Sequence, residues 1–245
     1  MRLPKTYITR VIFVLSFFLL AVNNYAQEQI NIDFNHVIKK NINPGSASAN
    51  LCWLLDSDQN NKNPQTSMEH ALKELGVGSL RFPYGHLADN YLWHTAPFHK
   101  TDKGLRPEVA TMSKAPEKWD WAVRGNGSFK NAMDFDEYMV LCQKLDIKPL
   151  VVVNVFSHKY KNGPSLNELI ETAVEWVKYA NKMNYHVEYW QIGNEVDHHK
   201  NILSPEEYID CYQKFAKAMK AVDATIKVGP GILQSTKYFK DIVSM

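Results

Sequence analysis

A regular alternation of short apolar strands with capped amphipathic helices constrains this chain more than any other feature. Leu150-Val151-Val152-Val153 is a continuous, largely β-branched run inside a strand read over Pro149–Asn154, the pattern of a parallel strand buried on both faces. Further strands are read over Ala49–Leu55, Ser79–Phe82, Glu188–Asn194 and Ile226–Gly229. Between them lie four helical segments, each opening on a capping pair: Thr66 with Glu69, Asp134 with Glu137, Ser165 with Glu168, and Ser204 with Glu207. A hydroxyl or carboxylate at the cap and a glutamate three residues on satisfy the free N–H groups of the first turn reciprocally. Pro205 suits the first helical position, and Gly76 suits a helix stop. Strand–helix alternation predicts an α/β fold with a parallel sheet.

No glycine-rich phosphate loop follows any strand, which argues against a nucleotide-binding open sheet. A (β/α)8 TIM barrel is the expected architecture. Only five strands can be read, so the expectation is a barrel truncated after the fifth, with Tyr238, Phe239, Ile242 and Val243 opening another helix. The predicted organisation is a signal peptide over residues 1–26, a polar lead-in over 27–48 and a partial barrel over 49–245. Arg2, Lys5 and Arg10 precede a twelve-residue apolar run from Val11 to Val22, and Ala26 offers a small residue for cleavage. That run is short of the roughly 20 residues of a bilayer span, so the mature chain is expected to be secreted or periplasmic. No other segment suits a membrane. The net charge of +2, spread along the chain, gives no basis for a nucleic-acid partner. Cys52, Cys142 and Cys211 sit in apolar patterns and read as buried free thiols.

The residues with chemical promise fall at the C-terminal ends of strands, where barrel enzymes keep their sites. Tyr189-Trp190-Gln191-Ile192-Gly193-Asn194-Glu195 is an apolar strand ending in a carboxamide and a carboxyl. Alternation places Trp190 and Ile192 toward the helices, and Tyr189, Gln191, Gly193 and Glu195 toward the barrel axis. Gly193 is expected to leave open space beneath Glu195, and a bulge could re-aim Asn194. A partly desolvated carboxyl at such a tip is suited to donate a proton to a glycosidic oxygen. Its alternative is a loop or capping carboxylate. Arg81 ends the second strand, and Asn154 ends the third, either facing the cleft or capping the strand from inside. The long connection from Pro83 to about Met133 carries Trp93, Trp119, Trp121 and Gly125-Asn126-Gly127, and such loops commonly carry function. Aromatic rings at Trp53, Tyr84 and in that loop could stack on sugar faces or fill the core. His158, His198 and His199 show no third ligand, so no metal site is expected.

Trp190-Gln191-Ile192-Gly193-Asn194-Glu195 resembles the fourth-strand motif of clan A glycoside hydrolases, retaining (β/α)8 barrels with the acid/base on strand four and the nucleophile on strand seven. Leu80-Arg81-Phe82-Pro83-Tyr84-Gly85, with Asn90-Tyr91-Leu92-Trp93 and Ala96-Pro97 after it, resembles the second-strand motif of family 51 α-L-arabinofuranosidases. The resemblance implies Glu195 as proton donor, Asn194 as the ligand of the hydroxyl beside the reacting carbon, and Arg81 as the arginine that keeps the carboxylates charged. It further implies sugar contacts from Asn154, Tyr84, His86 and Trp53, and no cofactor. The chain departs from the family at Pro83-Tyr84-Gly85-His86, where Pro-Gly-Gly-Asn is usual, and has no glutamate near its first strand. Another clan A activity on plant or algal polysaccharide or oligosaccharide therefore stays open. No strand offers a second tip glutamate, so the nucleophile is expected beyond Met245, and the chain alone is expected not to hydrolyse glycosides. The rival expectation is a non-catalytic carbohydrate-binding or surface protein on a partial barrel.

Overall fold

The structure is a computed structural model that describes residues 47–58, 65–93, 100–101, 104–105, 108–109, 133–160, 163–199 and 201–233. The signal peptide, nearly all of the lead-in, Trp119, Trp121, Gly125-Asn126-Gly127 and the helix expected from Tyr238 lie outside the described residues. The chain parts into two compact units, Met1–Ile42 and Asn43–Met245, and the described residues all belong to the second.

Five parallel strands form one sheet in the order of the sequence: β1 (Ser48–Asn50), β2 (Ser79–Phe82), β3 (Lys148–Val153), β4 (Tyr189–Ile192) and β5 (Lys227–Pro230). Four helices connect them: α1 (Met68–Glu74), α2 (Phe135–Leu145), α3 (Leu166–Lys182) and α4 (Pro205–Val222). An order that never reverses, with a helix before each next parallel strand, is the arrangement of successive βα units of a barrel. Short two-residue strands pair antiparallel in the long connection after β2: Tyr91–Leu92 with Glu108–Val109, and Lys100–Thr101 with Gly104–Leu105.

The capping pairs of α2, α3 and α4 form as the sequence implies, each with both reciprocal hydrogen bonds. The first helix differs. Its cap is Ser67, whose hydroxyl accepts the His70 N–H, and Met68 N–H donates to Asp58 Oδ1 at 2.7 Å. Thr66 therefore precedes the cap, and α1 begins one residue later than a cap at Thr66 implied. β1 is also shorter than expected. Past Asn50 the Leu51 N–H still reaches Arg81 O at 2.8 Å, and the chain then turns at Cys52, whose O accepts from both the Leu55 and Asp56 N–H groups.

One face of the sheet is the core. Leu80, Phe82, Val151, Val153, Trp190 and Ile192 are buried against Tyr138, Met139, Trp176 and Phe215 of the helices. Two buried tyrosines tie helices to strands. Tyr138 of α2 donates to Leu80 O at 2.7 Å and accepts the Leu150 N–H at 3.1 Å, joining β2 to β3. Tyr208 of α4 donates to Ile192 O at 2.8 Å and accepts the Gly231 N–H at 2.9 Å, joining β4 to the end of β5. The three cysteines are buried and free, and burial pushes the Cys142 thiol up to about 12 and Cys211 to about 11. No helix among the described residues is long and apolar enough to cross a membrane.

Candidate active site

The C-terminal rim of the sheet gathers polar side chains around Arg81, the third residue of β2. Its Nε donates to Gln191 Oε1 at 3.2 Å, Nη1 to Asn50 Oδ1 at 3.3 Å and to Tyr84 O at 3.0 Å, and Nη2 to Asn194 Oδ1 at 2.9 Å. One guanidinium thus connects β1, β2 and β4. Every hydrogen bond it makes among the described residues goes to a neutral oxygen, not to a carboxylate. Its charge still acts at longer range: burial lowers its pKa, while Asp89 and Glu195 raise it.

β4 ends at Ile192, and the chain then curls. Gly193 has φ +73°, and its N–H continues the ladder to Val153 O at 2.8 Å. Glu195 has φ 46° in the left-handed region, unusual for a residue with a Cβ. Asn194 lies between these two left-handed residues, and the curl brings its carboxamide onto Arg81. Alternation along the strand put Asn194 on the wrong face; it fails past Ile192 because the backbone is no longer extended. The expected open space at Gly193 is not there either. A Cβ at that position would come within 2.7 Å of Val155 Cγ1 and 2.8 Å of Val196 Cγ2. Glycine serves close packing here, not room for a ligand.

The Glu195 side chain is about half exposed at 47%, with His198 Nδ1 at 3.9 Å from its Oε2. Asn194 beside it is buried at 4%, and Gly85 packs against its carboxamide. Asp89 completes the group. It sits in a 3-10 turn over His86–Asn90 and is buried at 4%. Burial drives its proton affinity well above the usual carboxylate range; the Asn194 N–H and Arg81 oppose this, and Glu195 reinforces it. The sequence reading passed over Asp89. Its one visible signal was an acidic residue in the Leu87-Ala88-Asp89 stretch between the second-strand motif and Tyr91.

The rim thus holds a strand-tip carboxyl beside a carboxamide held by a second-strand arginine. Residues 71–238, more than half of the chain, match the family described as the alpha-L-arabinofuranosidase 1 domain. The chain belongs to that family. The probable alpha-L-arabinofuranosidase C of Aspergillus fumigatus is 26% identical over 176 residues, covering 64% of this chain and 30% of that protein. An intracellular exo-alpha-(1->5)-L-arabinofuranosidase of Acetivibrio thermocellus is 24% identical over 171 residues, with the same coverage of 64% and 30%. A solved family 51 alpha-L-arabinofuranosidase from Bifidobacterium longum superposes with a TM-score of 0.56 at 19% identity, over 82% of this chain and 42% of that one. The chain spans about 30% of the length of the curated relatives it matches.

Not every residue expected at the site of this arabinofuranosidase-family chain is there. Trp53 is fully buried, edge-on to Tyr91 with ring centroids 5.1 Å apart. The early end of β1 rolls it into the core, so it offers no face to a sugar. Asn154 is buried too, and its carboxamide is engaged inside: Nδ2 donates to Ser157 Oγ at 2.6 Å and Tyr91 O at 3.2 Å, and Oδ1 accepts the Ser157 N–H at 3.0 Å. It caps the strand from within, the alternative left open by the sequence. Trp93 is likewise core, stacked on Trp176 at 5.7 Å with the planes 6° apart. His86 is exposed and Tyr84 half-buried, their rings edge-to-face at 5.9 Å. Tyr84 has φ 123°, at the position where the family usually has glycine. His158 bonds Val155 O at 2.7 Å, and His199 packs edge-on to Phe156. A cavity of about 910 Å³ opens at the opposite end of the sheet, past Lys148, Glu188 and Thr225, and has no part in this group.

Proposed function

We propose that this rim is the acid/base half of a retaining glycosidase site acting on α-L-arabinofuranosyl groups of plant or algal polysaccharide or oligosaccharide. The observation that carries the reading is the Arg81–Asn194 hydrogen bond at 2.9 Å, with Glu195 next in the chain and exposed to a ligand. Arg81 holds Asn194 Oδ1, which orients Nδ2 as a donor for a sugar hydroxyl. Such a contact strengthens as the transition state forms. Glu195 protonates the departing glycosidic oxygen, then takes a proton from the water that releases the sugar. A second carboxylate, about 5–5.5 Å from the first, attacks the anomeric carbon. Tyr84 and His86 line the rim and are assigned sugar contacts. The names of the relatives favour arabinofuranosides as substrate class. An exported protein cleaved after Ala26 completes the proposal.

Glu168, Glu171, Glu175, Glu206 and Glu207 all lie on α3 or α4, which supports a nucleophile outside the described residues. Two assays test the reading. The chain is expected to bind L-arabinose, and Asn194→Ala to weaken binding about tenfold, the size of a lost hydrogen bond in a buried site. Absence of binding by the unaltered chain would sink the sugar site. Residues 27–245 are expected to leave 4-nitrophenyl α-L-arabinofuranoside intact. Turnover by them that Glu195→Gln abolishes would overturn the missing-nucleophile half of the proposal.

A further inference from the structure

Among the described residues, three carboxamides meet the Arg81 guanidinium: Asn50 at 3.3 Å, Gln191 at 3.2 Å and Asn194 at 2.9 Å. A guanidinium has five N–H donors and no acceptor, so only the oxygen of a carboxamide can face it. Each NH2 group is therefore turned away from Arg81, and the three differ in where it goes. Gln191 Nε2 donates to Gly193 O at 2.8 Å, within its own strand end. The NH2 groups of Asn50 and Asn194 have no acceptor among the described residues. Gln191 is thus a structural amide, while Asn50 and Asn194 are two donors held from behind by one cation. Asn50 ends β1, and the parallel register sets it opposite Arg81, on the face of the sheet that carries Gln191. It is exposed. Asparagine is a poor strand residue, and an exposed hydrogen bond of 3.3 Å adds little to the fold.

We propose that Asn50 is a second sugar-binding residue of this rim. With Asn194 on the hydroxyl beside the reacting carbon, Asn50 Nδ2 donates to the next oxygen round the ring, O-3 of an arabinofuranosyl group. The inference rests on the glycosidase reading and deepens it. The two amides accept from Nη1 and Nη2, the two ends of one planar group, so they stand side by side and suit neighbouring oxygens of one sugar. The substrate class narrows accordingly to terminal arabinosyl groups with O-2 and O-3 both unsubstituted, since a branch on O-3 would meet Asn50. The two contacts are unequal. Asn194 is buried at 4% and Asn50 is exposed, so water replaces a lost contact at Asn50 more readily. Removing Asn50 also leaves Arg81 its bonds to Gln191, Tyr84 O and Asn194, which keep the guanidinium in place.

The test titrates the full 245-residue chain, labelled with nitrogen-15, with methyl α-L-arabinofuranoside and with its 2-deoxy and 3-deoxy analogues. Asn50→Ala should weaken binding of the parent glycoside about fivefold, less than Asn194→Ala does, with an unchanged thermal midpoint. The analogues close a cycle that isolates each contact. On the 3-deoxy sugar Asn50→Ala should bind as the unaltered chain does, while Asn194→Ala still binds more weakly; on the 2-deoxy sugar the pattern should reverse. An equal loss on all three sugars would overturn the proposal, because a residue that only steadies Arg81 acts without regard to O-3. If Asn194→Ala weakens the parent glycoside and Asn50→Ala does not, Asn50 falls and the glycosidase reading stands. If the unaltered chain binds none of the three sugars, the glycosidase reading fails and the role of Asn50 with it.

Discussion

Replacing Gly193 by alanine tests the strand tip at its narrowest point. Two costs apply. The residue has φ +73°, and an L-residue in the left-handed region costs roughly 1–2 kcal/mol. The new Cβ would also meet Val155 Cγ1 at 2.7 Å and Val196 Cγ2 at 2.8 Å. Both valines are fully buried and stiff at χ1, so neither can turn aside; overpacking of this kind costs about 1–3 kcal/mol. The sum is about 2–5 kcal/mol, a large share of the roughly 5–15 kcal/mol that holds a domain together. Gly76 is an internal control. It has φ +62° and nothing within 4 Å of a built Cβ, so Gly76→Ala bears only the backbone cost of about 1–2 kcal/mol. Urea unfolding of the two variants separates the contributions. With a slope near 2 kcal/mol per molar urea, Gly193→Ala should lower the midpoint by about 1–2.5 M, and Gly76→Ala by about 0.5–1 M. Equal midpoints for the two variants would refute the packing argument, and a smaller effect at Gly193 would refute the whole account of the curl.

Tyr138→Phe removes the hydroxyl that joins Leu80 O to the Leu150 N–H inside the core; it should lower unfolding free energy by about 1–3 kcal/mol, read by thermal or urea denaturation, with helix content unchanged. Glu207 both caps α4 and pairs with Lys159 at 2.7 Å, and that lysine with the Ser204 backbone N–H holds its pKa down at about 2. A depressed carboxylate stabilises the fold above its unfolded pKa and loses that stabilisation as pH falls toward 2, so Glu207→Gln should flatten the acid limb of the stability profile below about pH 4.5; an unchanged limb would show that the pair contributes nothing.

Much of the fold was legible because its signals are local. The caps at Asp134, Ser165 and Ser204 lie within three residues of their partners, and the Leu150–Val153 run carries its own burial pattern. What failed was set by backbone curvature or by distant contacts. Trp53 looked like a strand residue near the rim because Ala49–Leu55 reads as one apolar run; a turn closed on Cys52 O, which periodicity does not report, puts the ring inside. Asn194 looked misdirected because the period of two holds only while the chain is extended. Asp89 was missed because nothing near it in sequence announces its burial, which depends on Ser157, 68 residues later.

The site's organisation follows from one choice at β2. Arg81 is partly buried and has hydrogen bonds to carboxamides and a carbonyl, not to a carboxylate. A guanidinium neutralised by direct carboxylate contact would hold the strands together equally well, but would leave less field at the rim. With amide partners, its charge remains available to the two carboxyls that face it, and they divide by environment. The exposed one, Glu195, keeps access to a ligand; the buried one, Asp89, keeps its proton. The division rests on burial: Asp89 is 4% exposed, while the Glu195 side chain stands at 47%. It places the polarity of this rim in the spacing between Arg81, Asp89 and Glu195, not in any one of them.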